Sequence, residues 1–204
     1  RVARDHALWR LAGRHAWPSA RYKRERLLRV GRLYGCSTFI ETGTYLGRTV
    51  AAMQPQFDLV MSSELSPALQ AGNQATLGRW PNVRLFTGDS ATLLPEMVRL
   101  IQGRALFWLD AHYSGGATAL GSKESPLCDE LRAIAAAQRR DHCVLIDDAR
   151  CCTGLDDYPT LSDLWSMLRT INPDYHLVLE WDCVMALPPM VDLRSAVNEI
   201  VAKT

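Results

Sequence analysis

Acidic residues follow two apolar runs of this sequence, in positions where their carboxylates could hold a metal ion. Asp110 comes directly after the run Leu106–Leu109, and Asp147 and Asp148 follow the run Cys143–Ile146. Carboxylates that lie close together repel each other unless protons or a cation intervene, and a hard divalent ion such as Mg²⁺ prefers oxygen ligands. A hydroxyl bound to such an ion loses its proton more readily and becomes a nucleophile. The pattern predicts a metal site if the two runs are neighbouring strands; otherwise the carboxylates order their loops or are solvated.

A histidine and a glycine-containing loop follow the first of these aspartates. His112 could act as a general base, as a metal ligand or only as a hydrogen-bonded loop residue, because an imidazole with an ordinary pKa of about 6.5 exchanges protons near neutrality. Residues 113–125 include Gly115, Gly116 and Gly121. A loop of this length beside a site is typical of a lid or an acceptor-binding segment, and a plain surface connection is the alternative.

A second group of residues has the pattern of a nucleoside-binding site. The run Thr38–Thr42 leads into Gly43 and Gly47, and glycines allow a tight turn and a close approach of the backbone to a ligand. Glu41, near the end of that run, would repel a phosphate but suits a cationic ligand. Glu64 follows about 20 residues after this loop, where a carboxylate can accept hydrogen bonds from both ribose hydroxyls. The other candidate cofactor-binding residues are Thr42, Thr44, Thr49, Asp89, Ser90 and Asp110.

Asp89 and Ser90 have two compatible interpretations. They follow the third β-rich run, Val83–Thr87, where polar groups at the start of a helix can meet an adenine edge. Asp and Ser are also common helix N-caps. The sequence alone leaves both roles open.

Short β-rich runs alternate with longer helical patterns along most of the chain. This alternation predicts an α/β fold: a Rossmann-like, doubly wound, mostly parallel seven-stranded sheet with helices on both faces. Only Glu180–Cys183 separates the last two runs, so they should form a C-terminal antiparallel hairpin. In an open sheet of this kind, ligands bind at the carboxyl ends of the strands. Helix starts are predicted at Ser66-Pro67, at Ser125-Pro126 and at the capping pair of Thr160 and Asp163.

The successive motifs of class I S-adenosylmethionine (SAM)-dependent methyltransferases resemble four segments of this chain, taken in order. They are Glu41-Thr-Gly-Thr-Tyr-Leu-Gly, Glu64, Gly88-Asp89-Ser90 and Leu109-Asp110-Ala-His112. The terminal hairpin also resembles that family. The departure is at Thr44-Tyr45-Leu46, which stands where a second glycine is more common. The resemblance implies SAM as the cofactor.

The acidic strand ends resemble those of metal-dependent O-methyltransferases, including the macrocin-type sugar enzymes and, more distantly, catechol O-methyltransferase. This resemblance implies that Asp110, Asp147 and Asp148 bind Mg²⁺ or a similar ion. We predict that Asp110, His112 and Asp147 are the catalytic residues. His112 stands where the macrocin-type pattern has a second acidic residue. The implied function is methyl transfer from SAM to a hydroxyl of a small-molecule, sugar-like or glycan acceptor, with assistance from a divalent metal.

Two other classes of function stay open at this point. A nicotinamide (NAD)-linked oxidoreductase would share Glu64, but the chain has no GxGxxG motif and the acidic residues would be unexplained. A non-catalytic SAM-binding or metal-binding module is the second alternative. A nucleic-acid partner is disfavoured, because no Asn-Pro-Pro-Tyr-like segment follows the fourth run.

Positive charge is concentrated at the start of the chain. Residues 1–35 contain ten Arg and Lys residues against Asp5 and Glu25, a balance of +8, although the 204-residue chain carries only +1. We predict a basic helical extension over residues 1–36 and a methyltransferase domain over residues 37–204. The extension could contact an anionic membrane, a nucleic acid or an acidic substrate. It could equally be a solvated helix face, or it could pair with acidic groups on the rest of the protein.

Two helices are predicted within that basic extension, at Asp5–His15 and Arg21–Leu33. In the second helix an apolar stripe faces inward and the arginines face outward; the stripe consists of Tyr22, Leu27, Val30 and Leu33. The six cysteines form no CxxC pair, and no apolar run approaches the ~18 residues of a membrane span. A reduced, cytoplasmic setting is therefore predicted.

Overall fold

The computed structural model describes residues 18–111 and 125–190, in which seven strands alternate with helices. The strands are β1 (Thr38–Thr42), β2 (Leu59–Glu64), β3 (Val83–Thr87), β4 (Ala105–Leu109), β5 (Cys143–Ile146), β6 (His176–Glu180) and β7 (Cys183–Leu187). The α-helices are α1 (Ala20–Leu33), α2 (Arg48–Met53), α3 (Pro67–Leu77), α4 (Ser90–Arg99), α5 (Leu127–Ala135) and α6 (Leu161–Ile171). A 3₁₀ turn covers Ala149–Cys151. The predicted helix at Asp5–His15 lies outside the described residues.

The seven strands form one sheet in the order β3-β2-β1-β4-β5-β7-β6. Strands β1 to β5 pair in parallel, whereas β7 is antiparallel to both β5 and β6. The turn of the terminal hairpin is formed by Trp181 and Asp182, whose φ values of 47° and 60° are both positive, as a type I′ turn requires. The predicted α/β fold and its C-terminal hairpin are therefore confirmed.

Two apolar cores cover the two faces of the sheet. Helices α4, α5 and α6 pack on one face through residues such as Leu94, Leu131 and Leu164. Helices α1 and α2 pack on the other face, where Leu27 and Val50 are buried. The long helical patterns of the sequence thus form the outer layers, and the buried strands form the middle layer.

Helix α1 packs on the sheet with a buried cation on its inner face. Tyr22, Leu27 and Val30 are buried as predicted, and Leu33 is half-buried. The prediction that the arginines face outward is wrong for Arg26, whose exposed fraction is 2%. Burial is tolerated because the two terminal nitrogens of its guanidinium have partners, which lowers the cost of burying them. They donate to Tyr22 Oη (2.8 Å) and to the Glu180 carbonyl (3.1 Å). These bonds connect α1 to the β6–β7 turn.

The predicted helix starts are confirmed at two of three positions. Ser66 caps α3, and Thr160 and Asp163 form a capping box at α6. The prediction for Ser125 is wrong, because the N-cap of α5 is Pro126 and no side chain caps it. Ser125 instead accepts a bond from the Leu127 amide at 3.4 Å. All six cysteines are free thiols, and none of the helices in residues 18–111 and 125–190 is long and apolar enough to cross a membrane.

Candidate functional site

The glycine loop (residues 43–47) connects β1 to α2 at the carboxyl edge of the sheet. Gly43 has φ +89°, and a Cβ atom there would lie 2.7 Å from the carbonyl oxygen of Asp110. Gly47 has φ +66°, and its Cβ would lie 2.4 Å from a methyl carbon of Leu77. The positive φ values disfavour other residues at both positions, and at Gly43 the nearby main-chain oxygen also leaves no space for a side chain. The loop runs close to the end of β4 for this reason.

Glu41 lies beneath the glycine loop in a network of hydroxyl groups. Ser62 Oγ donates to Glu41 Oε2 at 2.8 Å, and Thr44 Oγ1 lies 2.7 Å from Ser62 Oγ. Thr49 also donates to this carboxyl group. Burial raises the pKa of Glu41 to about 8, more than these hydrogen bonds lower it. Glu41 therefore carries a proton for much of the time at pH 7, unless a cation approaches.

Glu64 holds the other side of the glycine loop. Its Oε2 accepts from the Tyr45 amide at 2.8 Å, and its Oε1 accepts from the Ser66 amide at 2.9 Å. The charge of Glu64 is one of the causes that raise the pKa of Glu41, so the two carboxyl groups are close enough to interact. The two glutamates therefore flank the loop at the ends of β1 and β2.

Thr42 and Ser90 contact a buried glutamate that the sequence reasoning missed. Both hydroxyls donate to Glu130 on α5, and burial raises the pKa of Glu130 to about 7. Asp89 caps α4 by accepting from the Ala91 amide at 3.0 Å, which is one of its two predicted roles. Glu130 lies at a polar position of an amphipathic helical pattern, so nothing in the sequence marks it as buried.

The acidic pocket (Asp110, Asp147 and Asp148) forms where β4 and β5 end side by side. One carboxylate oxygen from each residue lies within 4.8 Å of the others. Hydrogen bonds beyond the strands hold it: the Asp110 amide donates to the Thr42 carbonyl (3.2 Å), and the Asp147 amide donates to the Leu109 carbonyl (3.1 Å). Burial and mutual repulsion raise the pKa values of Asp110 and Asp147. The predicted clustering of these three residues is thus present.

A lysine from α1 contacts the acidic pocket, and nothing in the sequence distinguishes it from the other basic residues near the start of the chain. Lys23 Nζ donates to Asp147 Oδ2 and lies 3.9 Å from Asp148 Oδ1. Burial alone would lower the pKa of Lys23, but the combined attraction of Asp147, Asp110 and Asp148 outweighs burial and raises that pKa. Arg150 adds a second cation, 2.6 Å from Asp148 Oδ1, and it also pairs with Asp182. Of the alternatives for the basic extension, pairing with acidic groups on the rest of the protein is therefore the one that Lys23 shows.

A cavity of about 270 Å³ opens between α1 and the edge of the sheet. Its charged and polar lining includes Lys23, Arg24, Thr49 and Asp110. Burial and the like charge of Arg48 lower the pKa of Arg24. The cavity therefore presents positive groups on the α1 side and a carboxyl group on the β4 side. His112 and residues 113–124 lie outside the described residues.

Solved structures share this architecture although sequence comparisons find nothing. No protein-family model matches the chain, and no curated protein matches it. The O-methyltransferase TomG from Streptomyces achromogenes, solved with SAM, matches with a TM-score of 0.56 and 12% identity over 93% of this chain and 89% of its own. A methyltransferase from Podospora anserina, solved with S-adenosylhomocysteine (SAH), matches with a TM-score of 0.55 and 17% identity over 84% and 80%. The chain has the class I methyltransferase fold.

A third match widens the range of acceptors found on this methyltransferase fold. The N-methyltransferase NodS from Bradyrhizobium japonicum WM9, solved with SAH, matches with a TM-score of 0.52 and 13% identity over 83% of this chain and 87% of its own. The similar structures thus include both O- and N-methyltransferases, so the fold by itself does not specify the accepting atom.

The acidic pocket of this methyltransferase fold is already in contact with a cation. Three carboxylate oxygens within 4.8 Å of one another could surround a small ion. Mg²⁺ demands near-octahedral ligands at about 2.0–2.1 Å, and the ammonium of Lys23 is bonded to one of the oxygens that would have to serve. With Lys23 in this position, the described donor set does not fit a divalent ion.

Proposed function

We propose that this protein transfers a methyl group from SAM to a hydroxyl group of a small-molecule or sugar-like acceptor. The observation that carries the proposal is the placement of Glu41 and Glu64 on both sides of the glycine loop, on a sheet with the methyltransferase strand order. The acidic pocket lies at the next two strand ends. Structural neighbours solved with SAM or SAH support the choice of cofactor.

The cofactor side of the proposed site uses groups that point to one edge of the sheet. When bound, SAM would supply a methyl group on a positively charged sulfur. Glu64 keeps further lone pairs beyond its two amide bonds, with which it would accept from the ribose hydroxyls. The glycine loop allows the backbone to approach the nucleoside. Asp89 and Ser90, at the start of α4, would lie beside the adenine.

The cavity between α1 and the sheet suits the amino-acid end of this cofactor. Arg24 would hold its carboxylate, and Asp110 would face its ammonium group; both residues line the cavity. Glu41 lies behind Thr49, which donates to it, so a cation above Thr49 would favour ionised Glu41. A zwitterionic ligand is matched by opposite charges on the two sides of the cavity.

The acceptor side of the proposed site uses Asp147. Its Oδ2 accepts from Lys23, and its Oδ1 is buried with no hydrogen-bond partner among residues 18–111 and 125–190. We propose that Oδ1 accepts the proton of the acceptor hydroxyl. The hydroxyl oxygen would then bond to the methyl carbon while the carbon–sulfur bond breaks and its electron pair stays on the sulfur of the departing SAH. His112 is the competing base. Positioning and the exclusion of water would supply much of the acceleration.

Three alternatives are separated by specific observations. An NAD-linked oxidoreductase would use Glu64 but would leave the acidic pocket without a role. A SAM-binding module without catalysis would need the same cofactor residues and no acceptor. An amine acceptor is favoured by the likeness to an N-methyltransferase, but the buried carboxylates suit the removal of a hydroxyl proton better.

Ligand-induced stabilisation tests the cofactor assignment. SAM or SAH at about 100 times its dissociation constant should stabilise the fold by about 2.7 kcal/mol, which is a rise in Tm of about 5–10 °C for a chain of this length. NAD should leave Tm unchanged. Glu64→Gln should remove most of the shift, whereas Asp58→Asn, a change at an exposed residue, should keep it. A shift with NAD alone would contradict the proposal.

Transfer of a labelled methyl group separates an enzyme from a binding module. Incubation with methyl-labelled SAM and a panel of hydroxyl and amine acceptors should label a hydroxyl compound, as measured by mass spectrometry. Asp147→Asn should lower that rate by about 100-fold or more, the usual size of a lost general base. Labelling of amines alone would exclude the hydroxyl assignment.

A further inference from the structure

We infer that Lys23 is the resident cation of the acidic pocket and occupies the place for which the sequence predicts a divalent metal ion. Lys23 Nζ donates to Asp147 Oδ2 and lies 3.9 Å from Asp148 Oδ1. The negative charge of Asp110 also attracts the Lys23 ammonium group. One ammonium group therefore interacts with all three members of the pocket.

The charges around the pocket support this assignment. Asp148 has a second cationic partner in Arg150, which lies 2.6 Å away and also pairs with Asp182. Lys23 is thus left as the main partner of Asp147. A divalent ion bound to the same Asp147 oxygen would stand within a few ångströms of the ammonium group, and like charges at that distance repel strongly where water is scarce.

Helix α1, which lies far from the acidic pocket in the sequence, is packed firmly enough to hold Lys23 in place. Tyr22, Leu27 and Val30 are buried on the sheet, and Arg26 bonds to the main chain of Glu180. The helix therefore has little freedom to withdraw, and the lysine stem extends from it to the pocket. The lysine side chain itself is 25% exposed, against 2% for that of Asp147.

Through Lys23, helix α1 contributes to the proposed catalytic site. Lys23 fixes Oδ2 of Asp147 and so directs Oδ1, which has no partner among the described residues, toward the acceptor space. Lys23 is therefore a positioning residue that makes the chemistry independent of metal. This role in methyl transfer rests on the proposed function, whereas the identity of the cation does not.

Titration with Mn²⁺ tests the assignment without using turnover. Metal-stripped wild-type protein, Lys23→Met and Arg21→Met should be titrated at pH 7.5, with bound ion followed by electron paramagnetic resonance. Arg21 is the matched control, because it is exposed on the same helix and pairs only with Glu25 among the described residues. We expect Lys23→Met to bind one Mn²⁺ at least ten-fold more tightly than wild type and Arg21→Met. Adding Asp147→Asn to Lys23→Met should abolish the gain, and Lys23→Arg should keep the wild-type affinity.

Equal Mn²⁺ affinity in wild type and Lys23→Met, whether tight or weak, would overturn the inference. If Lys23→Met does not fold, the NMR signal of the Lys23 ammonium group in the wild-type protein provides the test. Broadening of that signal by one equivalent of Mn²⁺ would contradict the assignment, and an unchanged signal would support it. A calorimetric titration of SAH into the same samples reports separately on the proposed function. If SAH does not bind but the Mn²⁺ affinities follow the expected pattern, only the proposed function is refuted.

Discussion

Single residues at the site combine burial with charge in ways that a sequence pattern reveals only in part. Glu41 could be predicted as a ligand-facing carboxyl group because it precedes a glycine loop, but its nearly complete burial could not. Burial depends on Ser62 and Thr49, which reach it from β2 and α2. Glu130 could not be predicted at all, since its partners come from β1 and α4.

Binding of SAM should release a proton from Glu41. Its pKa of about 8 in the free protein should fall when a cationic group approaches, because an opposite charge favours the ionised form. At pH 7 the release should be close to one proton, measured from binding heats in buffers with different ionisation enthalpies. Glu41→Gln should bind with little release. Identical heats in all buffers for the wild-type protein would contradict the placement of the cofactor beside Glu41.

Glu130→Gln should stabilise the fold at neutral pH. The folded-state pKa is raised to about 7 from 4.5, so the unfolded chain loses its proton first and stability falls as pH rises between these values. Above pH 7 the buried carboxylate costs about 3 kcal/mol, since each pKa unit is about 1.4 kcal/mol. Urea denaturation should show the variant gaining on wild type from pH 4.5 to 7. The control Glu96→Gln, at an exposed residue of α4, should show no such trend. If the difference in unfolding free energy between Glu130→Gln and wild type does not change with pH, the prediction is wrong.

Helices and strands can be predicted from the sequence where neighbouring residues specify them. The caps at Ser66 and Thr160 mark helix starts from neighbouring residues alone, and the short link before β7 specifies a hairpin. The orientation of α1 was only partly predictable, because an apolar stripe shows which face is buried but does not show that Arg26 belongs to it. That burial depends on Glu180, which is 154 residues away.

Replacing Arg26 should loosen α1 from the sheet. Arg26→Leu removes the buried bonds to Tyr22 Oη and to Glu180, and the loss of a buried hydrogen-bond network should cost about 2–4 kcal/mol. Chemical denaturation measures this loss. The matched change Arg32→Leu, at an exposed residue whose side chain bonds to Gln56, should stay within about 0.5 kcal/mol of wild type. Equal losses for both variants would show that α1 is not held by Arg26.

The whole molecule brings together residues that no local pattern connects. The mostly parallel sheet and the edge that carries the site follow from alternating strands and helices. The grouping of Asp110 with Asp147 and Asp148 also requires β4 and β5 to be neighbours, which the strand order shows. The partner of Asp147 could not be predicted, since Lys23 lies 124 residues earlier in the chain. Tertiary packing of α1, rather than any motif, decides which cation the acidic pocket receives.

A crystal structure of the protein with SAH tests the central claim most directly, because it locates the nucleoside and its sulfur relative to the site. We expect the ribose hydroxyls within hydrogen-bond distance of Glu64, the amino-acid end in the cavity beside Arg24, and the sulfur facing Asp147. A nucleoside bound elsewhere, or one whose sulfur points away from the acidic pocket, would contradict the claim.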